Sequence, residues 1–137
     1  MHTVRRRRQE GLIREALYIF LAVAVVMAIL LDGLAIFTAQ QGARETASEA
    51  GREARATYVD TLSVEEARAD ATALAASRDA ELLAFTVAAP DGTTPRTFTV
   101  TVTKTAETYL FKYLRYLPGL EDWVHDVQNP VITRTTQ

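Results

Sequence analysis

Residues Ala16 to Phe37 read ALYIFLAVAVVMAILLDGLAIF, an apolar run of 22 residues in which Asp32 is the one charge. As a helix rising about 1.5 Å per residue, the run reaches roughly 33 Å, the thickness of a bilayer's hydrocarbon core. Ahead of it stand Arg5, Arg6, Arg7, Arg8 and Arg14, opposed by Glu10 and Glu15, so that residues 1–15 sum to +3. Residues 38–137 carry ten Lys/Arg against fourteen Asp/Glu, and with Asp32 the whole chain comes to −2. Short arginine-rich flanks are retained on the cytoplasmic side, which predicts a cytoplasmic amino terminus, membrane lipid as the first partner and an acidic body outside. The competing assignment is a cleaved secretory signal, but the run is longer than such a core, and TAQQGARETASEAGREARA after Phe37 continues in helix formers without a small-x-small site. An uncleaved single-pass anchor fits better.

The chain's 137 residues leave room for one compact domain and an appendage. With no cysteine, disulfide frameworks, thiolate metal sites and cysteine nucleophiles are excluded. Beyond the span, helical signal persists from Thr38 to about Tyr58, where Ala43, Ala47, Ala50 and Ala54 make a seam of small residues continued by Gly42. The seam admits two uses: packing against the chain's own domain, or close approach between neighbouring copies. Asp60-Thr-Leu-Ser63 is turn-like, and Ser63-Val-Glu-Glu66 reads as a capping box opening a second helix to about Ala80, with a core face of Ala67, Ala71 and Ala75.

The period then changes to alternation. Leu83–Ala89 and Arg96–Thr105 flank Pro90-Asp-Gly-Thr-Thr-Pro95 as a hairpin, with Phe98, Val100 and Val102 on the buried face, and Val131–Thr136 supplies a third strand. The fold class is therefore α+β: a long amino-terminal helix, then a second helix packed on a small antiparallel sheet. The organisation follows as a basic head at 1–15, a transmembrane helix at 16–37, its extension at 38–58 and an extracytoplasmic α+β domain at 59–137.

Between strands two and three, Thr108 to Trp123 places Leu110, Leu114 and Leu117 at helical spacing beside a stripe of Tyr109, Tyr113 and Tyr116. The rings can fill the core of a domain otherwise poor in large side chains, which the composition favours, or lie at a membrane interface. Pro118-Gly119 ends that helix in either case.

Sites for chemistry are missing from the pattern. His2 and His125 have no third ligand at metal-like spacing, the glycines lack the arrangement of a phosphate loop, and Ser48, Ser63 and Ser77 have no nucleophile elbow. The reading is of a protein without enzymatic activity, cofactor or metal. The arginines have no interleaved aromatics and precede a span directly, so they argue for topology and not for nucleic acid. Two acids stand out by position: Glu15 at the inner edge, expected to pair locally or lie at the interface, and Asp32 near the outer one. A carboxylate in an apolar run needs an outlet; outer-leaflet water is expected for Asp32, with an intersubunit contact as the alternative.

Gly11-Leu-Ile-Arg-Glu15-Ala-Leu-Tyr18 opening the helix, followed by Gln41-Gly-Ala-Arg44 to Gly51-Arg-Glu-Ala-Arg55, resembles the TadE/TadG-like pseudopilins of tight-adherence (Flp) type IV pilus systems. The alanine-rich second helix, the Thr-Val-Thr-Val strand at 99–102, Leu117-Pro-Gly-Leu120 and a last strand extend the likeness in outline. The resemblance implies Gly11 as a prepilin-peptidase site, Leu12 as the new terminus and Glu15 as the acid that sets subunit register, here the fourth mature residue where the family has the fifth. It implies a minor pilin or pilus-assembly subunit in the bacterial cytoplasmic membrane, partnered by other pilins. On that basis Gly42, Ala43, Ala47, Ala50 and Ala54 are expected to line contacts between copies. The rival is an unprocessed single-pass accessory or scaffold subunit of a membrane complex.

Overall fold

In the computed structural model, residues 3–89 and 97–137 are described, with side chains from Leu12 onwards. The expected turn at 90–95 lies outside them. The chain is α+β: α1 (Thr3–Thr61), α2 (Val64–Ser77), β1 (Glu81–Ala88), β2 (Thr97–Thr103), α3 (Phe111–Leu114), α4 (Glu121–Gln128) and β3 (Val131–Thr136). The strands form one antiparallel sheet in the order β1-β2-β3, so β2 is flanked on both sides.

One helix of 59 residues runs through the apolar stretch and its extension without a break. It ends where Leu62 takes a left-handed backbone, φ 56°, with its N–H donating to the Tyr58 carbonyl at 2.8 Å. Ser63 then caps α2: its hydroxyl accepts from the Glu66 N–H at 3.3 Å, which is one half of the expected capping box, while its own N–H donates to the Thr61 hydroxyl at 3.2 Å and not to Glu66. Ala67, Ala71 and Ala75 recur every fourth residue and are fully buried, so α2 seats on a stripe of methyl groups. Thr57 donates to Asp70 at 2.6 Å from α1 to α2, and Arg78 pairs with Glu49.

The alternation in β2 sends Phe98, Val100 and Val102 into the core. On the other face threonines meet across strands, Thr99 with Thr135 at 3.2 Å and Thr101 with Thr133 at 2.9 Å. In β1, Leu82 and Phe85 both pack against the core although an odd separation would send them to opposite faces. The register shifts between Leu82 and Ala84, and the extra residue Leu83 is left exposed; this bulge restores the inward set. Tyr58 from α1 and Phe85 from β1 lie against Phe98, with centroids at 5.7 and 6.2 Å.

Ala43, Ala47, Ala50 and Ala54 are each 0% exposed, and Ala47, Ala50 and Ala54 belong to the same apolar cluster as β2 and α2. This corrects the expectation that the seam serves contacts between copies: its methyl surface is already spent within the chain. Small residues are there because a β-sheet and a second helix both approach α1 closely. At Gly51 an added Cβ would fall 2.6 Å from the Thr136 hydroxyl oxygen, and at Gly42 it would fall 3.3 Å from Cδ of Lys104. Gly42 is thus crossed by a lysine stem whose ammonium donates to the Arg78 carbonyl at 2.7 Å. The helix extension is the spine of the folded domain, and a boundary at residue 59 would cut through its core.

Two outcomes follow for the full chain in detergent micelles. Ala47→Leu combined with Ala54→Leu should overpack a closed interior and lower unfolding stability by roughly 2–6 kcal/mol, read by chemical denaturation. Leu62→Gly should raise it by about 0.5–1 kcal/mol by removing a side chain from a left-handed position.

Candidate functional site

The two halves of α1 differ in what they expose. Large apolar residues from Leu12 to Leu31 are between 43% and 73% exposed, and this helix is long and apolar enough to cross a membrane. From Asp32 upward one face turns inward: Asp32, Ala39 and Ala43 are buried, Ala35 and Ile36 half-buried, while Leu34 and Phe37 on the other face stay exposed. Asp32 is the hinge point of this change in surroundings.

What covers it is an excursion from the sheet. Between the end of β2 at Thr103 and the start of β3 at Val131 the chain leaves and returns, and its neck is closed by three hydrogen bonds. Thr105 donates to Asn129 Oδ1 at 2.7 Å, Ala106 N–H to the Gln128 carbonyl at 2.8 Å, and Gln128 Nε2 to Thr108 Oγ1 at 2.5 Å. With the neck closed, α3 and α4 form a compact tip, joined by Phe111 against Trp123 at 5.7 Å between centroids.

The tip begins on Asp32. Tyr109 N–H donates to Oδ1 at 2.5 Å, and the N–H groups of Leu110 and Phe111 donate to Oδ2 at 2.7 and 2.8 Å. Asp32 is 0% exposed. These are the amides that open α3, whose own N-cap residue, Leu110, provides no side-chain cap. A carboxylate from α1 therefore does the capping, satisfying orphan donors and placing negative charge at the positive end of the turn. Both expectations for Asp32, outlet to water and contact with another subunit, are corrected: its partners are three backbone amides of its own chain. Charged hydrogen bonds of this kind contribute about 1.5–3 kcal/mol each.

The aromatic segment also departs from expectation. The leucine spacing predicts a continuous helix, but only Phe111–Leu114 is α-helical. Successive short turns follow, with Tyr116 N–H on the Tyr113 carbonyl at 3.2 Å and Leu117 N–H on the Leu114 carbonyl at 3.0 Å. Pro118 has no N–H to continue a helix, and Gly119 adopts φ +87°, a conformation suited to glycine. A further helix, α4, then starts at Glu121. Nor do the tyrosines fill the core: Tyr109, Tyr113 and Tyr116 are between 62% and 68% exposed. Val124 is the residue of α4 that is fully buried.

Of the other residues singled out, Leu12 is 65% exposed on α1 and Glu15 is exposed as well. The surroundings of Gly11 lie outside the described residues. His125 shares an open cleft beside α4 with Arg115, Glu121 and Asn129. Among the described residues no three His, Cys, Asp or Glu side chains gather as a metal site. The arrangement organises a contact between an apolar helix and the backbone of the aromatic segment.

No family model, curated protein or solved structure matches the chain.

Asp32→Ala should free the three amides. In the full chain in lipid nanodiscs, hydrogen exchange at residues 109–111 should accelerate by roughly ten- to a hundredfold, with Asp32→Asn between wild type and Ala, while exchange in β2 is unchanged.

Proposed function

We propose that the chain is a membrane-anchored assembly subunit of pilin-like construction, a minor pilin or pseudopilin of a tight-adherence (Flp) type IV pilus or a related secretion system. The observation that carries this reading is the division of one unbroken helix into an apolar half, open to its surroundings, and an upper half that is the spine of an α+β domain with a three-stranded antiparallel sheet. The chemistry asked of such a subunit is non-covalent and non-enzymatic. The arginine-rich head holds the amino terminus in the cytoplasm and the domain stands outside. Because the alanine seam is closed within the chain, lateral contacts with other subunits fall to the apolar residues between Leu12 and Leu31, which exchange lipid for neighbouring helices on assembly. Glu15, at the inner end of that stretch, sets the register, and a prepilin peptidase cutting after Gly11 would make Leu12 the mature terminus.

Intact mass of the protein taken from its native membrane tests the processing step. A chain beginning at Leu12 agrees with it, and an intact amino terminus points to a single-pass accessory or scaffold subunit instead. The absence of cysteine makes a contact test direct: Leu21→Cys should give disulfide-linked dimers in the membrane, and Ala47→Cys should give none.

A further inference from the structure

The exposed rings of the tip have a fixed height on α1. Residues 109–111 hold the Asp32 carboxylate by their amides, so the turn that begins the aromatic segment is level with Asp32. The apolar run of α1 continues to Phe37, five residues or about 7.5 Å farther along the helix. Leu34 and Phe37, in that last stretch, remain exposed. The tip therefore does not start above the apolar stretch of α1; it is docked beside its outer end.

The composition of the face suits that level. Tyr109, Tyr113, Tyr116 and Trp123 are exposed, Trp123 to 52%. Lys112 Nζ lies 5.1 Å from the ring centroid of Tyr113, and the Arg115 guanidinium carbon lies 4.9 Å from that of Tyr116. Indole and phenol rings present an apolar body with a polar edge and collect where acyl chains give way to headgroups, while lysine and arginine extend their charges outward. Facing only water, the same four rings would each be left more than half exposed.

We infer that the face formed by residues 109–123 is a membrane-docking surface whose occupant is the phospholipid headgroup layer of the leaflet on the domain's side. Trp123 and the tyrosines enter the acyl–headgroup boundary, and Lys112 and Arg115 face lipid phosphates. Asp32 is the positioning residue: its carboxylate keeps the tip at this depth without itself meeting lipid. The inference rests on α1 being a membrane anchor, and it is independent of whether the chain is a pilin.

Trp123 is the chain's single tryptophan, so the unmodified protein carries its own depth probe. The full chain is reconstituted into phosphatidylcholine–phosphatidylglycerol vesicles and flotation is measured first. Trp123 emission is then recorded with lipids brominated near the headgroup end of the acyl chain, with lipids brominated near the chain terminus, and with acrylamide in the aqueous phase. The expected result is blue-shifted emission, quenched several-fold more by shallow than by deep bromine and little by acrylamide. In Asp32→Ala, and more weakly in Asp32→Asn, emission should move to the red and shallow-bromine quenching should fall while flotation persists. A chain that floats but whose Trp123 is open to acrylamide and blind to bromine overturns the inference and leaves the anchor standing. Shielding from acrylamide without bromine quenching overturns it as well, because the rings then lie against protein. Failure to float removes the anchor on which it depends.

Discussion

A carboxylate set in an apolar helix needs partners that water cannot supply, and the chain answers this with three consecutive amides of its own. The interaction is reciprocal. Asp32 gains donors in a place of low polarity, and the start of α3 gains the cap that its sequence lacks. The side chain is strongly acceptor-only when ionised, with lone pairs on both oxygens, so one residue can take up three donors where an amide or hydroxyl could not. Removing the acid would leave an uncapped turn beside an apolar helix, which is why the position of the whole tip depends on it.

The rest of the architecture follows from how α1 divides its surfaces. Above Asp32 the helix is covered on one side by alanine-sized contacts with α2 and the sheet. Such contacts bury little area each, but they let three elements approach closely around a narrow axis, and the large rings of Tyr58, Phe85 and Phe98 fill what remains. Below it, between Leu12 and Leu31, the large apolar side chains stand exposed. The two halves thus ask for opposite environments, and the boundary between them is a single helical turn.

Much of this was legible in the residues because it is local. The inward Phe98, Val100 and Val102, the Ser63 cap, the Ala67, Ala71 and Ala75 stripe and the last strand at Val131–Thr136 all follow from periods and caps spanning a few positions. Three features were not. The alanine seam declares that something approaches closely, but small side chains accept a sister helix or a sheet equally well, so spacing alone cannot name the partner. In the aromatic segment the leucine period competes with Pro118 and Gly119 and with the early end of α3, and turn chemistry prevails over periodicity. The Asp32 contacts join residues 77 to 79 positions apart, a separation at which no pattern within the chain signals the pairing.

The unbroken passage of α1 from Leu12 to Thr61 has a mechanical consequence. With no loop between the apolar half of the helix and the sheet, the chain behaves as a lever with its fulcrum near Asp32. From there to Thr61 is roughly 44 Å at the helical rise, so a change of about 10° in the inclination of the lower arm would carry the far end of the domain sideways by roughly 8 Å. Small adjustments of tilt in the apolar half are thereby amplified into displacements as large as a protein side chain is long.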